Sequence, residues 1–156
     1  MRTNILRICA MALALVSSQL VFAHDDRSIE GVWDVRVTVT DCQTGAIIRT
    51  VRSIQGFSQH GVFTETANTF LRGSSVGAWN HDSARGFSAT YWFFRYKPDG
   101  TFSSIAQALD KIQLSDDGKQ FAASGTIQDF DANNTLISTG CFVHAATRLS
   151  KPAPGN

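Results

Sequence analysis

Within residues 30–40, hydrophobic and polar positions alternate without a break from Trp33 onward. Trp33, Val35, Val37 and Val39 fall on one face, and Asp34, Arg36, Thr38 and Thr40 on the other. A period of two carried by β-branched residues predicts a half-buried strand. Residues 47–57 predict a second strand with looser alternation, in which Gly56 marks a bulge. Ser58-Gln59-His60-Gly61 turns the chain into a third strand over 62–66. Residues 67–75 form the longest irregular stretch, ending in Arg72-Gly73-Ser74-Ser75, and a short fourth strand follows over 76–79. Residues 86–97, 101–114, 119–130 and 135–149 predict four longer strands. Between them lie Lys97-Pro98-Asp99-Gly100, Ser115-Asp116-Asp117-Gly118 and Asp131-Ala132-Asn133-Asn134, each rich in turn formers. Eight strands on hairpin-length connections, with no amphipathic helix, predict an all-β chain with neighbouring antiparallel pairs, either a barrel or a sandwich. Across the Pro98-Asp99 turn, Lys97 opposite Thr101 predicts Trp92 opposite Ala106, Phe93 opposite Ile105 and Phe94 opposite Ser104.

The first residues read as a targeting segment. Arg2 and Arg7 precede an apolar run over 8–16, and Val21-Phe22-Ala23 is a small-x-small cleavage site. Residues 1–23 are thus expected to be a signal peptide, 24–150 a barrel domain and 151–156 a disordered tail. Removing Arg2 and Arg7 from 14 basic residues leaves 12 against 13 acidic ones, a formal charge of −1. Near-neutral charge of scattered sign argues against nucleic acid, and no stretch is long and apolar enough for a membrane span. The expected location is outside the cytoplasm, periplasmic or secreted. There, the two remaining cysteines, Cys42 and Cys141, are expected to form a disulfide.

These cysteines close the sheet. If the first and last strands pair antiparallel, partner numbers have a constant sum. Cys42 with Cys141 sets it at 183, and Trp33 with Arg148 at 181, one diagonal step apart. That register places Phe142, His144, Ala146 and Arg148 on the face shared by Trp33, Val35 and Val37. The expected fold is an eight-stranded antiparallel up-and-down barrel without edges.

A Gly31-x-Trp33 opening the first strand, with Arg148 late in the last, resembles the calycin superfamily, which includes lipocalins, fatty-acid-binding proteins, avidins and bacterial metalloprotease inhibitors. The resemblance implies that Trp33 closes one end of the barrel with Arg148 across it, so that Gly31, Trp33, Arg148, Cys42 and Cys141 serve the fold. The spacing of Trp33, Cys42, Cys141 and Arg148 also resembles small exported bacterial barrels with no assigned function. The chain departs from lipocalins in lacking a Thr-Asp-Tyr loop and a helix after the last strand.

Strand 86–97 is dense in aromatics on both parities, so one set must face outward, toward a homodimer or protein partner. The other can line a pocket. Pocket candidates are Tyr91, Trp92, Phe94 and Phe142, with His144, Gln107 and Glu65 as polar companions. They predict binding of a small apolar ligand without catalysis and without a cofactor. Gly73-Ser74-Ser75-Val76-Gly77 has the Gly-x-Ser-x-Gly spacing but runs into the fourth predicted strand and not from a strand into a helix, so it is no nucleophile elbow; His-Glu-x-x-His, Cys-x-x-Cys and glycine-rich phosphate loops do not occur. Glu65 and Asp110 are expected at the rim or surface. A second reading is a barrel that binds proteins in the manner of protease inhibitors. A third is copper binding by His24, which becomes the first residue after cleavage; no other metal site is expected.

Overall fold

The structure, a computed structural model, describes residues 28–149. The eight strands are β1 (Gly31–Thr40), β2 (Ile47–Ser58), β3 (Val62–Ala67), β4 (Ser75–Ser83), β5 (Gly86–Tyr96), β6 (Phe102–Leu114), β7 (Gln120–Phe130) and β8 (Leu136–Arg148). Each pairs antiparallel with the next, and β8 returns to β1, so the sheet is a closed up-and-down barrel, consistent with a calycin-like fold. The expected signal peptide over 1–23, His24 and the expected tail over 151–156 lie outside the described residues. Among the described residues, no helix is long and apolar enough to cross a membrane.

The seam follows the expected register. Trp33 faces Arg148, Val37 faces His144 and Thr40 faces Cys141. Two residues past Thr40, the turn brings Cys42 within bonding distance of Cys141, with Cα atoms 5.1 Å apart. Asp41 shapes that turn by accepting hydrogen bonds from the backbone N–H groups of Gln43 and Thr44.

One end of the barrel is sealed. Trp33 is fully buried, donates from its indole N–H to the Ile29 carbonyl and meets Phe121 edge-on at 4.8 Å. The Arg148 guanidinium lies 4.2 Å from the Trp33 ring centre and donates to the carbonyls of Gly118, Glu30 and Ser28. One cation thereby ties the incoming chain, the β6–β7 turn and the plug together. Gly31 is required there, because a Cβ would lie 2.9 Å from Arg148 Nη1 at a backbone φ of +132°. Phe57, Phe63, Phe87 and Leu114 complete this apolar end.

Three local expectations are corrected. Gly56 is not a bulge: it pairs with Val32 and Thr64 in unbroken register. Its lack of a side chain instead admits Thr64, whose Oγ1 would lie 2.9 Å from a Cβ. In the β5–β6 hairpin, Lys97 and Thr101 do face each other through a backbone hydrogen bond. A bulge between Arg95 and Tyr96 then advances the register by one, so Trp92 meets Gln107, Phe93 meets Ala106 and Phe94 meets Ile105. The fourth strand is also longer than expected, because hydrogen bonding to β5 carries it through polar residues to Ser83.

Candidate functional site

The opposite end of the barrel is open and polar. Strand alternation directs Val37 and Val39 of β1, Arg49 and Val51 of β2, Phe93 and Arg95 of β5, and Phe142 and His144 of β8 to one cavity. The segment between β3 and β4 crosses above them. Asn68 exchanges hydrogen bonds with the Arg52 backbone, Gly73 N–H donates to the Phe94 carbonyl, and Tyr96 N–H donates to the Leu71 carbonyl. Strapped down in this way, Leu71 and Arg72 turn into the barrel. The enclosed volume is about 50 Å³, room for a group of a few non-hydrogen atoms at ~10–15 Å³ for each water-sized probe. A larger depression of about 980 Å³ lies on the outer wall along Asp34, Arg36 and Arg52, away from the interior polar groups.

Three arginines ring the mouth. Arg72 stacks on Phe93 with its guanidinium carbon 3.5 Å from the ring centre, and Arg95 lies 5.1 Å from the same ring. Arg95 donates to Asp129 at 2.5 Å, and Ser104 and Ser138 also donate to that carboxylate. Arg72 pairs with Glu65 and Ser75. Among the described residues no carboxylate lies at ion-pair distance from Arg49. Partial burial, then repulsion from Arg95 and Arg72, pulls its pKa below the usual arginine value. With Glu65 and Asp129 as the opposing charges, the mouth carries one surplus positive charge.

Beneath the mouth lies a buried polar layer. Glu65 is 2% exposed; it accepts from Ser75 at 2.8 Å and contacts the Gln55 amide at 3.4 Å. Burial pushes its pKa upward, but Arg72, Ser75, His144 and Ser53 outweigh that and hold it below the ordinary value, so Glu65 is ionised. Asp110, also 2% exposed, behaves in the opposite way. Burial and then the Glu65 charge raise its pKa well above the ordinary carboxylate value, against the lowering effect of the neighbouring Tyr91. His144 Nδ1 lies 3.3 Å from Asp110 Oδ2, both side chains being fully buried. The pair lacks hydrogen-bond alignment, and neither ring nitrogen nor either carboxyl oxygen has a partner among the described residues. Burial, assisted by Arg72 and opposed by Glu65, lowers the His144 pKa to about 4, so the imidazole is neutral near pH 7. Tyr91 is raised well above its usual value by burial and by Asp110 and Glu65.

The sequence-derived candidates divide by strand parity. Tyr91, Phe142, His144 and Glu65 line the cavity together. Trp92 and Phe94 do not: they are 40% and 51% exposed on the outer wall, where Phe94 meets Phe102 at 6.2 Å. Gln107, paired with Trp92, shares that outer face and is half-buried. The inward set of β5 is Phe87, Ala89, Tyr91 and Phe93, so candidates drawn from both parities could not all converge. Glu65 and Asp110, expected at the rim, are instead among the most buried acids, because both lie on inward positions at mid-strand.

Sequence reasoning missed Arg49, Arg72, Arg95 and Phe93. The parity of Val51 and Phe93 was the available signal for Arg49 and Arg95. Arg72 lies in the irregular segment, where no period assigns a face. Among the described residues, no three His, Cys, Asp or Glu side chains are grouped so as to hold a metal ion. No family model, curated protein or solved structure matches this chain.

Proposed function

We propose that this protein is an exported binding protein for a small organic acid, taken up through the arginine-ringed end of the barrel. The observation that carries this reading is the convergence of Arg49, Arg72 and Arg95 on one cavity, the last two over Phe93, with one positive charge in surplus. Like charges held together raise the energy of the free site, and a bound carboxylate relieves it; planar guanidinium groups also match a carboxylate in shape. Val39, Val51, Leu71, Ile127 and Phe142 supply apolar contacts for the body of the ligand. The small enclosed volume favours a compact charged head over an entirely apolar molecule. The Cys42–Cys141 pair and the basic-apolar start of the sequence support export.

Isothermal titration of the oxidised protein with hexanoate, hexanol and hexylamine tests the reading. Hexanoate binds, the other two do not, and affinity falls with added salt and with Arg49→Ala or Arg95→Ala. Equal affinity for acid and alcohol, or no heat with the acid, refutes it.

A further inference from the structure

Every buried unpartnered side-chain atom among the described residues belongs to Ser53, Gln55, Arg72, Asp110 or His144. These groups surround Glu65 in a single layer, under the mouth and above the apolar plug. Elsewhere the interior is apolar and its polar atoms are paired. A barrel does not need such a layer for packing. Buried polar atoms left without partners destabilise the fold, and alanine, valine or phenylalanine would fill the same inward positions.

His144 has a particular place in this layer. Its side chain is fully buried, it lines the cavity, and its ring lies flat against Phe142 at 4.8 Å and 20°. Phe142 pairs with Val39 and His144 with Val37, so His144 sits one inward position deeper than the layer containing Arg49, ~7 Å along the strand. Nδ1 lies 3.3 Å from Asp110 Oδ2, and the Asp110 carboxyl also interacts with Tyr91. Nε2, the other ring nitrogen, has no partner. Burial and the Glu65 charge shift Asp110 toward its neutral, proton-donating form, and a neutral imidazole that turns Nδ1 to such a carboxyl presents Nε2 as an N–H donor.

Resting on the proposed binding of an organic acid, we infer that the ligand is a hydroxy or oxo acid. Its carboxylate is held by the arginines at the mouth, and its second oxygen accepts a hydrogen bond from His144 Nε2. The apolar remainder of the molecule lies against Val39, Leu71 and Ile127. Specificity follows from burial: an acid without the second oxygen leaves Nε2 unpartnered, whereas the hydroxy or oxo acid satisfies it.

The experiment titrates the oxidised protein with hexanoate and with 2-, 3- and 5-hydroxyhexanoate and 2-oxohexanoate. Affinity is followed by calorimetry, and the imidazole by ¹⁵N-labelled histidine resonances. At least one hydroxy or oxo acid is expected to bind about tenfold or more tightly than hexanoate and to shift the His144 Nε2 resonance, which hexanoate leaves in place. In His144→Phe that preference collapses toward unity. Should the variant fail to fold, the resonance shift in the unaltered protein still decides. Equal affinity across the series with an unmoved His144 resonance overturns the inference and leaves acid binding standing. No binding by any of the acids overturns both.

Discussion

Replacing His144 with phenylalanine should change how stability depends on pH, in a direction and amount that follow from its burial. In the unfolded chain His144 titrates near 6.5, and in the barrel near 4. Between those values the unfolded chain binds a proton that the folded chain refuses. Stability therefore rises with pH across this window and is lost as pH falls from 6.5 toward 4. The gap of about 2.5 pH units, at ~1.36 kcal/mol per unit, amounts to about 3 kcal/mol. Asp110 acts with the opposite sign. Its folded pKa is raised, so its contribution is greatest at low pH and declines as pH climbs above 3.8. The profile of the unaltered protein is consequently flattened, and only a difference between proteins isolates the imidazole.

Phenylalanine keeps the flat contact with Phe142 and fills a similar volume. Any repacking cost it brings does not depend on pH, and the burial and Glu65 charge that raise Asp110 are kept in both proteins. Urea unfolding of the oxidised proteins, followed by circular dichroism in half-unit steps from pH 4 to 7.5, gives the two curves. The stability of the unaltered protein relative to His144→Phe should improve by about 3 kcal/mol from the acid to the neutral end. Parallel curves would mean that His144 charges freely inside the fold, and the account of a neutral buried imidazole would be wrong.

Two further outcomes test the frame that holds the site. Replacing both Cys42 and Cys141 with alanine opens a loop of sequence separation 99 and should remove about 4–5 kcal/mol of stability, read from the urea midpoint. A loss below ~1 kcal/mol would show that the seam is held by strand pairing alone. Gly77→Ala places a Cβ 2.1 Å from the Thr90 carbonyl oxygen and 2.5 Å from Tyr91 Cα, both backbone atoms that cannot step aside. Thermal melts should show a loss of at least ~2 kcal/mol, while Gly73→Ala, with nothing nearer than 3.7 Å, should melt close to the unaltered protein.

The closed barrel was legible in the chain because its determinants are local or repeat with period two. Trp33, Val35 and Val37 declare an inward face, turn residues mark the hairpins, and the constant partner sum near 181 aligns Trp33 with Arg148 as Cys42 aligns with Cys141. His144 was legible as an inward residue for the same reason. Parity, however, is a relative code. One extra residue, such as the bulge beside Tyr96, shifts every partner in a hairpin, and neither Trp92 nor Phe93 states which of the two faces the interior. The arginine mouth lies further still from anything local. Arg49, Arg72 and Arg95 are separated along the chain and meet only because the barrel curls β2 and β5 around one opening and the segment after β3 folds across it. Glu65 and Asp110 show the same limit: Arg72 holds the Glu65 pKa down, and the Glu65 charge in turn helps to raise that of Asp110. Electrostatics acts through space, and that proximity exists once the sheet has closed.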